Sequence, residues 1–188
     1  MEKTKSSKRN EKLLEILRGK KAKYIVGTTL LSGIGIALPR IFHILVGSSA
    51  GATFLPMHIA VLIASLTFGC ISASIVAGSS IICSYLLTGM PALARLPYML
   101  IELVIYAVLL SVFNKKFNSY ISLLATIILG RIMYAITLVV AIDVLSFETY
   151  GISVIESIKT GMPGLIIQLL CVPVIAKILN ERLKLKND

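Results

Sequence analysis

From Tyr24 to Leu179 the chain is almost continuously apolar, yet Glu102 and Arg131 stand deep inside two of its apolar runs and Gln168 inside a third. A stretch of this kind has one physical home, a bilayer, where runs of ~20 apolar residues form helices that satisfy their own backbone polar groups. The mean hydropathy of +0.89 agrees. So does a hydrophobic content of 56%, well above the roughly 45–50% of soluble domains. The chain therefore reads as an all-α integral membrane protein. A charge near the bilayer centre costs at least ~2.5–3.5 kcal/mol, so Glu102 and Arg131 are expected to face a bundle interior and to meet a partner or a ligand.

Six segments meet or approach spanning length: 24–46, 55–71, 72–87, 96–113, 119–142 and 163–179. The joint between the second and third, Gly69-Cys70-Ile71-Ser72, carries no charge, so a count of five has to be weighed. With five spans the basic N-terminus and the basic C-terminus (Arg182, Lys184, Lys186) fall on opposite sides, and Lys115 and Lys116 lie outside. With six, all of these are cytoplasmic, and the exterior receives Arg95 and Lys159 along with Asp143, Glu148 and Glu156. The tendency of Lys and Arg to stay in the cytoplasm favours six spans, with both termini inside. The outer face then carries the loops 47–56, 88–95 and 143–162. The expected organisation is a basic tail (1–23), a six-helix membrane domain (24–180) and a short basic tail (181–188).

The net charge of +10 comes from 19 Lys and Arg, nine of them before Tyr24. This distribution follows membrane orientation, and no aromatic-rich groove or recognition motif accompanies it, so nucleic acid is not the expected partner. Met1–Lys23 has no apolar core followed by a small-residue cleavage site and does not read as a removable signal. Its Leu13, Leu14, Ile16 and Leu17, set among Lys and Glu, suit either a helix resting on the inner membrane surface or a solvated linker. Cys70, Cys83 and Cys171 fall in separate apolar runs and indicate neither a disulfide framework nor a metal cluster.

Glu102 and Tyr106 are four residues apart and share a helix face, as do Arg131 and Tyr134, three apart. The two faces can converge on a polar ligand, or Glu102 and Arg131 can form an ion pair that pins two helices. His58 opens the second span just after Pro56, while Arg40 and His43 close the first; all three are expected near the outer interface. Gln168 offers directional hydrogen bonds to a ligand or to another helix. Thr29, Gly33 and Ala37 recur every four residues and make a smooth stripe that lets another helix approach closely, either one of this chain or, if the stripe faces lipid, one of a separate subunit. The tetrapeptide Thr88-Gly89-Met90-Pro91 recurs as Thr160-Gly161-Met162-Pro163, and both copies are expected to precede a helix start, where proline forfeits no hydrogen bond. No metalloprotease, nucleophile-elbow or Walker motif is present, so no catalytic activity is expected and energy must come from a partner or an ion gradient.

These pieces together resemble the substrate-binding S-components of energy-coupling factor (ECF) transporters, the vitamin and cofactor-precursor importers of prokaryotes. The resemblance runs from about Thr29 to Leu179. It rests on Phe54-Leu55-Pro56-Met57-His58-Ile59, Leu87-Thr88-Gly89-Met90-Pro91, Glu102-Leu103 with Tyr106, Gly130-Arg131-Ile132 with Tyr134, and Thr160-Gly161-Met162-Pro163-Gly164 with Gln168. One departure is Ala60, where many members of that family carry proline. The resemblance implies a six-helix protein of the prokaryotic plasma membrane that captures a small molecule from outside under its first, third and fifth loops. It implies as partners a membrane T-component and two ATPases, which alone use ATP, the S-component needing no cofactor. The first-span stripe, Thr29, Gly33 and Ala37, would contact the T-component, and the S-component would topple in the membrane to release its ligand inside.

The leading expectation is thus a high-affinity binding subunit, with His58, Glu102, Tyr106, Arg131, Tyr134 and Gln168 as ligand-contacting residues. A second is a stand-alone carrier in which Glu102 or His58 relays protons. A third is a membrane enzyme using Glu102 and His58 as acid and base, against which the lack of any motif counts. Vitamins, a queuosine precursor and a cobalamin all remain open as ligands. Arg131 suits a carboxylate or phosphate if Glu102 does not already neutralise it.

Overall fold

The structure, a computed structural model, describes residues 19–47, 53–143 and 154–183. The tail before residue 19, the tail after 183 and the stretches 48–52 and 144–153 lie outside the described residues, as does the expected interfacial helix around Leu13–Leu17.

The described chain is helical throughout: α1 (Lys20–Val46), α2 (Pro56–Phe68), α3 (Cys70–Thr88), a short 3-10 turn (Leu93–Arg95), α4 (Leu96–Phe113), α5 (Ser119–Asp143) and α6 (Val154–Leu183). Five of these helices are long and apolar enough to cross a membrane. The exception is α2, whose 13 residues rise only ~20 Å against a hydrocarbon core of ~30 Å.

That short helix is the hub of the bundle. It packs against α1, α3, α4 and α6, and Ile59 is its one residue that is not buried. Pro56 occupies its first turn, where a missing N–H leaves no bond unmade. Its far end turns at Gly69, whose N–H donates to the Ala64 carbonyl (3.1 Å) and whose own carbonyl accepts from the Ala73 N–H (3.0 Å). The φ of 83° at Gly69 is readily adopted only by glycine. The chargeless joint between the second and third segments is therefore a one-residue turn, two to three residues before the expected boundary.

Successive helices alternate in direction. Gly27 of α1 abuts Phe68 and Gly35 abuts Ala60 and Ser80, so α1 runs against α2 and with α3. Ser65 of α2 bonds the Ala107 carbonyl of α4 (3.0 Å) and shares a 2.7 Å hydroxyl contact with Ser111, while His58 stacks edge-on to Tyr106. Hence α2 and α4 run together. Asn180 of α6 donates to the Leu66 carbonyl (3.3 Å), which gives α6 that same direction. Lys23 Nζ reaches the Leu183 carbonyl at 2.9 Å, so the beginning of α1 and the end of α6 meet at one end of the bundle.

Two expectations are corrected. The last helix begins at Val154 rather than near Pro163, and Pro163 and Pro173 both lie inside it. The repeated tetrapeptide is accordingly not a pair of helix entries. Its first copy ends α3, with Thr88 the last helical residue and Gly89 capping it at φ 69°; its second copy is helix interior. The physical difference lies in the residue after the second copy. Gly164 packs onto the backbone of Thr53 and Phe54, where a Cβ would stand 2.7 Å from the Phe54 carbonyl carbon. Close packing holds α6 through Pro163 although the proline forfeits one helical bond.

Candidate functional site

The polar side chains gather in the half of the bundle where α2 and α4 begin, away from the Lys23–Leu183 end. Glu102, in the second turn of α4, faces inward with 3% of its surface exposed. Its two oxygens serve different neighbours. Oε1 lies 3.1 Å from Arg131 Nη1 of α5, and Oε2 lies 3.5 Å from His58 Nε2 of α2. Among the described residues Glu102 thus links three helices. Placing an ion pair in so apolar a setting adds little stability, because desolvation opposes the Coulomb attraction.

The walls are aromatic and tightly fitted. Tyr106 is fully buried, with its ring edge-on to His58 at a centroid distance of 5.4 Å. It fills the space that a side chain at Gly130 would need, so the glycine before Arg131 lets the ring pass close to α5. One turn above Glu102, Tyr98 packs with Tyr134 and Leu138 in a second buried cluster. Gln168 is fully buried on α6 and donates through Nε2 to the Leu55 carbonyl at a long 3.5 Å. Leu55 holds the left-handed conformation, φ 48° and ψ 48°, and its carbonyl also accepts from the His58 N–H at 3.0 Å. Such a conformation is uncommon outside glycine; here it aims one carbonyl at both His58 and Gln168.

Much of the hydrogen-bonding capacity here is unused. His58 Nδ1, Arg131 Nε and Nη2, and Gln168 Oε1 are buried with no hydrogen-bond partner among the described residues. Leaving one such group unmet in an apolar interior costs about 1–3 kcal/mol, and more for a charged one. Native interiors keep few of these groups. Four such atoms lie around Glu102 and the entry of α2, a concentration that a bound polar molecule would relieve. No group of three or more His, Cys, Asp or Glu able to hold a metal ion occurs among the described residues.

Of the six expected site residues, His58, Glu102, Tyr106 and Arg131 come into direct contact. Gln168 lies at the entry of α2, linked to them through Leu55, and Tyr134 sits in the adjoining Tyr98 cluster. His58 is 1% exposed, enclosed among the helices packed around α2. Arg40 is exposed and His43 partly so, near the end of α1. Thr29, Gly33 and Ala37 lie on an exposed face of α1, and a Cβ at Gly33 would meet nothing within 4 Å.

Sequence reasoning missed Tyr98, Gly130 and the Leu55 carbonyl. Tyr98 carried a readable signal, since it precedes Glu102 by the same four residues that separate Glu102 from Tyr106. No family model matches the chain, and neither a curated protein nor a solved structure matches it.

Proposed function

We propose that the protein is the substrate-specificity subunit of an ECF-type importer in a prokaryotic plasma membrane. In this reading it binds a vitamin or cofactor precursor from outside and delivers it inward with a T-component and two ATPases. It has six spans, both termini in the cytoplasm, no catalytic activity and no cofactor of its own. The observation that carries the reading is the buried cluster of unpartnered polar atoms around Glu102, because a purely structural ion pair has no use for so much open hydrogen-bonding capacity. Alternating helices whose two ends meet at Lys23 and Leu183 support an even number of passes.

The surface of α1 supports the partner assignment. Of the five long helices it has the smallest buried share, and the Thr29, Gly33, Ala37 face lies beside an apolar groove of about 390 Å³ lined by Val26, Leu30, Ile34, Phe68 and Leu179. A stripe of small residues next to such a groove suits close approach of another membrane helix. The test is mass spectrometry of small molecules released by denaturing monodisperse protein from cells grown in rich medium. A stoichiometric metabolite is expected; its absence from well-folded protein would overturn the reading.

A second reading, a stand-alone proton-coupled carrier, draws on the 3.5 Å approach of His58 to Glu102, a pairing suited to proton exchange. It requires uptake by liposomes holding this protein alone, driven by a pH gradient and indifferent to ATP.

A further inference from the structure

We infer that the molecule held at this cluster carries a carboxylate, seated on the edge of Arg131 that faces away from Glu102. The inference rests on reading the cluster as a ligand site. Arg131 has its side chain 10% exposed and gives Nη1 to Glu102. Its Nε and Nη2 are buried and unpartnered. These two atoms form one edge of the guanidinium, with two parallel N–H bonds, and that fork matches the two oxygens of a carboxylate. Glu102 therefore does not exhaust Arg131; it fixes the guanidinium from one side and leaves the bidentate side open.

Charge decides between oxyanions. Glu102 and Arg131 cancel, so a carboxylate adds one negative charge to a desolvated site, where uncompensated charge is strongly disfavoured. His58, beside Glu102, is the one further base in the described cluster. The titratable groups facing it are Glu102 and Tyr106 of α4 and, across Glu102, Arg131 of α5. A phosphate dianion would need a second base, and the described cluster holds none. The unpartnered Gln168 Oε1 calls for a donor elsewhere on the same molecule.

The test treats small molecules released from denatured protein with an amine tag under carbodiimide activation, which couples to carboxylates, and compares wild type with Arg131→Lys and Arg131→Gln. Wild type is expected to release a stoichiometric compound that takes up the tag. Arg131→Lys keeps the charge and loses the fork, and is expected to retain roughly a tenth of that compound or less, in line with loss of a charged hydrogen bond. It also serves if Arg131→Gln does not fold. A stoichiometric compound that takes no tag, or full retention by folded Arg131→Lys, overturns the carboxylate and leaves the binding-subunit reading intact. Wild type that is folded and releases nothing overturns both.

Discussion

Tyr106 and Gly130 interlock: the phenol ring of α4 occupies the volume that any side chain at position 130 of α5 would require. Gly130→Ala would gain at most about 1 kcal/mol of helix propensity. Against this, overpacking a fully buried ring costs about 1–3 kcal/mol. The clash wins, so a lowered thermal midpoint in detergent is expected, together with loss of bound metabolite as Tyr106 and Arg131 shift. An unchanged midpoint would mean that the ring has room to move.

The Glu102–Arg131 pair should show strong coupling. Glu102→Gln leaves the Arg131 charge buried without its partner, at a cost of about 3–5 kcal/mol. Replacing Arg131 by Gln as well removes the orphaned charge, so the double variant is expected to be more stable than Glu102→Gln alone. Thermal unfolding of the two single variants and the double variant closes the cycle, and additive effects would show that the two groups do not sense each other.

On α1, the glycines at 33 and 35 should behave oppositely. Gly33 faces open space, whereas a Cβ at Gly35 would run into Ser80. Gly33→Leu is expected to fold within about 0.5 kcal/mol of wild type and to fail to co-purify with a T-component and its ATPases. Gly35→Leu is expected to lose stability itself. Normal assembly of Gly33→Leu would move the docking face elsewhere.

Membrane topology can be read by single cysteines at exposed sites, after replacement of Cys70, Cys83 and Cys171 by alanine. With six spans, Lys21→Cys and Lys116→Cys react with an impermeant maleimide only when the cytoplasmic side is opened, and Lys159→Cys reacts in intact cells. Labelling of positions 21 and 116 from opposite sides would establish five spans.

The helices were legible because apolar length and charge placement are local properties. Leu96–Phe113 matches its expected span at both ends, and α5 begins at Ser119 as expected. Glu102 and Arg131 were legible as partners because a charge in an apolar run has few alternatives. The burial of His58 was not, since it depends on how far α2 is enclosed by four neighbours, a property of the assembled bundle. The course of α6 through Pro163 was likewise hidden: proline in isolation signals a helix start, and the backbone of Thr53 and Phe54 that holds it lies more than a hundred residues away. The outward direction of the Thr29, Gly33 and Ala37 stripe needed the positions of Gly27 and Gly35, which take the inward contacts.

The enclosure of α2 bears on how the protein is made. A segment of 13 residues is too short to partition into a bilayer as an independent unit, yet it carries His58 and contacts four other helices. A nascent chain emerging from a ribosome can settle this segment only once α3 has been made beyond the Gly69 turn, so the two enter as a hairpin. Chains arrested at Phe68 are then expected to leave α2 outside the membrane, and chains arrested beyond Thr88 to retain it.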